Sequence, residues 1–296
     1  MLDYKLIEAL ALVAQQGGFD KAATALHITQ SAVSQRIKLL EEQMGQILIA
    51  RTIPPKITQA GRNILKHYLQ VKQLEDDLGR ATNKQPDKGY TSIAVGLNAD
   101  SLATWFLDAI QSFVAKEGIL IDLRIDDQEQ TDRMLKDGDV VGCISTREQP
   151  LQGCKIEYLG CMNYHMLASP EFAEKWFPTG LTIAGAYRAP AIIFNRKDGL
   201  HHKLFNQALG AVPDIVPTNY IPSAEKFVDF ILMGLGYGML PLQQSEPFVQ
   251  TGRLIDLAPD YNIPVKLYWH CWNLKSKLLI KFTQQLTLGA KKMLNK

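Results

Sequence analysis

Cysteine is scarce, with four residues (Cys143, Cys154, Cys161 and Cys271) spread over 296, and none forms a C-x-x-C pair. That pattern excludes a zinc knuckle and a dithiol redox motif, and it suits a compartment where thiols stay reduced. The six histidines likewise lack ligand spacing, since His201 and His202 are adjacent and diverge on any helix. No metal or cofactor is expected. Long apolar runs are also missing, as is a charged-then-apolar leader at the N-terminus, so a cytoplasmic protein with no membrane partner is expected. Nor is there a large excess of one charge: the net value is +2. A nucleic-acid partner would therefore have to be met locally, not by the field of the whole molecule.

Catalytic signatures are missing too. There is no nucleophile elbow, paired-carboxylate motif or cofactor-lysine motif. Gly234, Gly236 and Gly238 follow a helical stretch and precede a strand. A phosphate-binding loop needs the opposite order, so these glycines read as a helix cap and turn. An enzyme is not expected.

What is present is concentrated near the start. Phe19, Ala22, Ala23 and Leu26 make an apolar stripe at i, i+3, i+4, i+7. The break at His27-Ile28-Thr29 follows, with Thr29 placed to cap the next helix. In that second helix Val33, Ile37, Leu40 and Met44 repeat at helical spacing and form a buried face. Its other face carries Gln30, Ser31, Ser34, Gln35 and Lys38, with Glu41 and Glu42 only beyond it. Short hydroxyls, amides and a cation can hydrogen-bond base edges and phosphates, whereas an ordinary solvated face mixes acids with its cations. The pair reads as a helix-turn-helix over about 19–38.

Before it, Tyr4 to Gln16 reads as a helix stopped by Gly17-Gly18. After it, Pro54 and Pro55 bar a continuous ladder, and Arg51 to Lys56 reads as a stiff wing presenting Arg51 and Lys56 to a phosphate backbone. The alternative is a plain loop with stray charges. Through Lys66 there are eight cations against five acids, or +3, so affinity would lean on two such units acting together. Thr58 opens a long helix to about Ala81, with Ile64, Val71 and Leu78 in a heptad seam that can pair with a second copy or pack on its own chain. Asn83 to Gly89 reads as a hinge.

From Tyr90 short apolar runs alternate with helical stretches, which implies a parallel sheet with crossovers. The runs are TSIAVGL, ILIDLRI and VVGCIS, then, after Cys161, YHMLAS, APAIIF, DIVPTNYI, YGMLPL and KLYWHCW. Ligands of such sheets bind beyond the carboxyl ends of the strands. Those ends supply Asn98, Asp100, Ser101, Asp126, Asp127, Ser145, Thr146, Asn195, Arg196 and Ser223. The set suits a free amino acid: Ser101 and the N–H groups behind it for the α-carboxylate, and the hydroxyls and Asn195 for further hydrogen bonds. Asp100, Asp126, Asp127 or Glu129 would meet a cationic side chain, with Trp105 as apolar wall. Each also has an ordinary reading, as helix cap (Asp100, Ser101), solvated loop (Asp126, Asp127), turn (Asn195, Arg196) or core (Trp105).

TQSAVSQRIKLLE, preceded by GFDKAATALH and followed by Arg51, Thr58 and Gly61 in R-x(6)-T-x-x-G, resembles the LysR-type transcriptional regulators. RTIPPKIT and NADSLATW resemble in particular the ArgP/LysG branch, which answers to lysine and arginine. The resemblance implies an all-α winged helix-turn-helix at 1–57 and a linker helix and hinge at 58–89. Beyond these it implies a two-lobed α/β effector domain like periplasmic binding proteins, with lobe I at 90–163 and 267–296 and lobe II at 164–266. Thr29, Gln30, Ser31, Ser34, Gln35, Lys38, Arg51 and Lys56 would then face double-stranded promoter DNA. The implied partners are L-lysine or L-arginine, one or three further copies of the chain, and RNA polymerase. The implied targets are genes for export or synthesis of basic amino acids. A LysR-type regulator with another effector, or a solute-binding receptor, are the alternatives.

Overall fold

Asp3 starts the first helix, its Oδ1 accepting from Lys5 N at 2.9 Å, and Gly17 in the left-handed region stops it. In the computed structural model, which describes residues 2–81, 91–126 and 128–294, this helix is α1 (Tyr4–Gln16). Next come α2 (Phe19–Leu26) and α3 (Gln30–Met44). The turn between them passes through His27 at φ 55°, a left-handed cap without glycine, and Thr29 Oγ1 accepts from Ala32 N at 3.2 Å. Ala22 and Ala23 let α3 approach, and Ile7, Leu10, Val33, Ile37 and Leu40 are sealed between the three helices. Each such aliphatic side chain contributes about 1.5–3 kcal/mol when removed from water.

The expected all-α unit carries a small ladder. β1 (Ile49–Ala50) pairs antiparallel with β2 (Lys56–Ile57), and the two prolines occupy the loop between them, where no ladder N–H is needed. Glu41 Oε1 accepts from Leu48 N and Ile49 N, at 2.8 and 3.3 Å, and so fastens the wing to α3. Thr58 does the same for α4 (Gln59–Ala81): its hydroxyl donates to Ile47 O at 2.8 Å and accepts from Gly61 N at 3.1 Å. A Cβ on Gly61 would collide with the Leu48 carbonyl oxygen and sit 2.7 Å from Ile57 Cγ2. The T-x-x-G spacing is thus a steric requirement of wing against helix.

The seam of α4 is divided. Ile64, Leu65 and Tyr68 pack on the N-terminal core, Leu69 on the core of the following unit, and Leu74 and Leu78 remain exposed. The hinge expected at Asn83 to Gly89 lies outside the described residues.

The second unit begins with β3 (Ser92–Leu97), α5 (Ala99–Ser101), a π-helical turn at Leu102–Phe106 and α6 (Leu107–Glu117). β4 (Leu120–Ile125), α7 (Gln128–Asp137), β5 (Gly142–Ser145) and β6 (Cys154–Ala168) come next. The chain continues through α8 (Pro170–Trp176), α9 (Ile183–Arg188), β7 (Ala191–Ile193), α10 (Leu200–Leu209), β8 (Thr218–Tyr220) and α11 (Ala224–Leu232). It ends with β9 (Tyr237–Pro241), α12 (Leu242–Gln250), β10 (Ile255–Asp256), β11 (Ile263–Trp272) and α13 (Lys277–Leu294). The strands form one sheet in the order β4-β3-β5-β11-β6-β9-β7-β8, with β10 beside β6.

The expectation of a parallel sheet holds at the two ends, where β3 pairs with β4 and β5, and β7 with β8 and β9. It fails in the middle: β11 runs antiparallel to both β5 and β6, and β6 to β9. β6 also starts at Cys154, well before YHMLAS; its first half exposes Glu157 and Tyr158, so hydropathy does not mark it. β11 returns to the β3 end, and α13 lies there against α6, with Phe282 edge-on to Phe113 at 5.7 Å. Among the described residues no helix is long and apolar enough to cross a membrane.

Gly61→Ala is expected to lower unfolding stability by about 1–3 kcal/mol, the cost of overpacking a tight contact. Urea denaturation followed by circular dichroism measures it, and an unchanged midpoint would remove the steric account of that glycine.

Candidate functional site

Two places gather the polar residues singled out above. The first is the outer side of α3. Val33 and Ile37 are fully buried, while Gln30, Ser31, Gln35 and Lys38 are exposed and Ser34 is half-exposed. Thr29 is largely committed to its cap, sharing a hydrogen with Ser31 Oγ at 2.9 Å. Lys38 Nζ lies 3.7 Å from Glu42 Oε1 with both groups well exposed. Such a pair is weak, so the ammonium can turn to a phosphate at little cost. Arg51 and Lys56 are exposed at the end of the wing ladder. The +3 balance through Lys66 overstates this face, however. Arg62 lies 3.4 Å from Asp137, and the Lys66 Cβ packs against the Gly138 backbone, so both side chains leave α4 toward α7.

The second place is a cleft of two chambers that share Asn98, Asp198 and Leu200. The smaller, about 420 Å³, brings together Asn98, Asp100, Asp126 and Asn195, together with Pro222. The larger, about 590 Å³, is lined by Ser145, Thr146, Tyr164, Lys203 and Lys266, among others. Six strand-end positions thus converge from both ends of the sheet.

Three candidates do not join them. Ser101 is fully buried and lines neither chamber. Ser223 is exposed and caps α11, its Oγ accepting from Lys226 N at 3.4 Å; its neighbour Pro222 lines the cleft instead. Arg196 stacks over Tyr220 at 5.0 Å in an adjoining recess of about 200 Å³ that shares Asn195 and Asp198 with the smaller chamber. Trp105 is core, at 1% exposure. Asp127 lies outside the described residues.

Asp198 is the residue that sequence reasoning missed. Its Oδ1 accepts from Leu200 N at 3.0 Å, which explains why Asp-Gly before a helix reads as a start signal and nothing more. Yet the side chain lines both chambers and faces Asp100. Asp100 Oδ2 accepts from Tyr164 OH at 2.6 Å. Burial pushes the Asp100 carboxyl above the usual carboxylate range, the Tyr164 hydrogen bond opposes this, and the charge of Asp198 adds to it. Behind Asp198, burial lowers the His201 imidazole to about 4, so that ring is neutral near pH 7. A chamber with two facing carboxylates, one of them reluctant to ionise, is prepared for a cation.

A winged helix with a polar outer face, joined to a two-chambered cleft, matches two family models. Residues 4–62 match the bacterial regulatory helix-turn-helix protein, lysR family, and residues 91–287 the LysR substrate binding domain. The chain belongs to the LysR family of transcriptional regulators. It is 42% identical over 291 residues to the HTH-type transcriptional regulator ArgP of Pseudomonas aeruginosa, covering 98% of this chain and 96% of that one. With ArgP of Vibrio cholerae it shares 38% identity, covering 99% and 98%. Among solved structures it resembles ArgP from Mycobacterium tuberculosis, with a TM-score of 0.88 and 36% identity over 99% of both chains. It also resembles full-length LysG from Corynebacterium glutamicum with bound effector Arg, with a TM-score of 0.80 and 29% identity over 99% of both chains. This regulator therefore carries the family's two working parts in one chain, a DNA-binding head and a ligand-binding body.

Removing Ser34 and Gln35 together (both to Ala) is expected to abolish specific DNA binding while leaving thermal unfolding unchanged; full promoter occupancy in that variant would place the reading face elsewhere. Lys56→Ala should weaken binding to all sequences alike and reduce the salt dependence by about one unit of log–log slope. A slope unchanged in mobility-shift titrations would take Lys56 off the phosphates.

Proposed function

We propose that this LysR-type regulator is controlled by a basic amino acid, L-arginine or L-lysine, bound in the two-chambered cleft. The observation that carries the reading is the grouping of Asp100, Asp126 and Asp198 around the smaller chamber, beside Lys197, opposite Ser145, Thr146 and Lys203 in the larger, where Lys266 is paired with Glu148 at 3.2 Å. A zwitterion with a cationic side chain fits that division, with guanidinium or ammonium among the carboxylates and the α-carboxylate toward the hydroxyls and Lys203. Placing the α-carboxylate there replaces the expectation built on Ser101, which is buried and lines neither chamber. The bound arginine named for the LysG structure supports the same ligand class.

On this reading Gln30, Ser31, Ser34, Gln35 and Lys38 meet the major groove, Thr29 sets the start of the helix, and Arg51 and Lys56 hold phosphates. The working unit is a homodimer or tetramer in the cytoplasm, assembled in part through the exposed outer end of α4, and it acts with RNA polymerase at promoters of basic amino-acid export or synthesis genes. The divisions fall at 1–57, 58–89, 90–163 with 267–296, and 164–266.

Calorimetric titration with free amino acids, with and without promoter DNA, tests the ligand. Arginine or lysine should bind while the neutral isosteres citrulline and norleucine do not; equal binding of the isosteres would sink the reading. A cation favours ionised Asp100, whose pKa is raised in the free protein by burial. Binding should therefore release a proton, and affinity should fall as pH drops through that raised value. Asp100→Asn should cost roughly tenfold or more in affinity and remove the pH dependence.

A further inference from the structure

Arg62 touches the wing, the linker helix and the effector unit together. Its Nη1 donates to Ile57 O at 2.9 Å, and its Nη2 to Gln59 Oε1 at 3.0 Å. Its Nε lies 3.4 Å from Asp137 Oδ2. Ile57 forms the rung with Ile49 that closes the wing. Asp137 is the last residue of α7 and is largely buried beneath Arg62 and Arg133.

The far end of α7 is at the cleft. The helix starts at Gln128, two residues after Asp126, which lines the acidic chamber. Its ten residues span roughly 15 Å. Thr131 and Leu135 are fully buried, with Thr131 against Gly96 of β3, so α7 is seated firmly on the sheet. Just past Asp137, Gly138 at φ +91° meets the linker helix backbone to backbone; a Cβ there would lie 2.9 Å from Lys66 Cβ and 3.0 Å from its Cα. Neither contact can slide without disturbing the other.

We propose that Asp137 and Arg62 are positioning residues that pass the state of the cleft to the wing, with α7 as the rod between them. Closing the acidic chamber on a ligand pulls the N-terminal end of α7, and the Asp137 carboxylate shifts against the guanidinium that holds the Ile57 carbonyl. The wing, carrying Arg51 and Lys56, changes its set on the phosphates. The ligand-coupled part of this proposal rests on the cleft reading above; the latch itself does not.

Two measurements decide it. Without ligand, hydrogen–deuterium exchange of the full-length protein should be about threefold or more faster at residues 48–58 in Asp137→Asn than in the parent chain, with β3 and β5 unchanged. With ligand, L-arginine and L-lysine should alter the affinity of the parent chain for a duplex from its own upstream region. That change should shrink by about threefold or more in Asp137→Asn and survive in Asp137→Glu. Calorimetric affinity for the free amino acid should be the same in all three. Gly138→Ala, which forces the two backbones apart, should reproduce the loss. Unaltered wing exchange, or a full ligand response in Asp137→Asn, overturns the proposal, as does loss of amino-acid binding itself, which would put Asp137 to work in the cleft. A parent chain that ignores both amino acids contradicts the ligand reading, and the exchange measurement then decides the latch alone.

Discussion

Val33, Ile37 and Leu40 are excluded from water completely, and that exclusion turns the other side of α3 outward. An apolar stripe has one stable place, against α1 and α2, and the helical period then fixes where Gln30, Ser34, Gln35 and Lys38 must project. The two alanines of α2 set how closely α3 is held, and the left-handed turn at His27 sets its direction. Glu41, on the same helix, binds two amides at the base of the wing, so the start of the wing is tied to the reading helix. Their relative placement, which any groove and its flanking phosphates must match, is written into a few contacts.

The effector unit solves a different problem. Its two ends must be able to shift while staying one molecule, and β6 and β11 supply the connection. They lie side by side in the middle of the sheet, β11 against β5 and β6 against β9, and their register shifts once between Leu267 and Tyr268. The larger chamber opens on that stretch, at Pro264 to Leu267. A ligand there touches the connection as well as the strand ends. That is a physical reason for the cleft to be where binding and shape are linked.

Much of this was legible in the chain. The period of 3.6 in the first sixty residues marks both faces of α3, and the strand ends at Asn98, Asp126, Ser145 and Asn195 follow from alternating runs and loops. What was not legible depends on contacts between distant segments. Asp198 looks like the lead-in to a helix because its carboxylate binds the Leu200 amide, and only the fold brings it near Asp100. Ser101 looks like a ligand group, but the helix containing it turns the hydroxyl inward. Arg62 belongs by sequence to the linker helix, and its partner Asp137 is seventy-five positions away. The first half of β6 escaped because one of its faces is wet.

The central claim is that the polar side of α3 lies in the major groove. An iron chelate tethered through Gln35→Cys, with Met233→Cys on the exposed surface of the other unit as control, tests it directly. The account predicts strand scission confined to the major groove of each half-site from position 35 and none above background from position 233. Equal cleavage from both, or none from position 35 on a duplex that is fully bound, would contradict it.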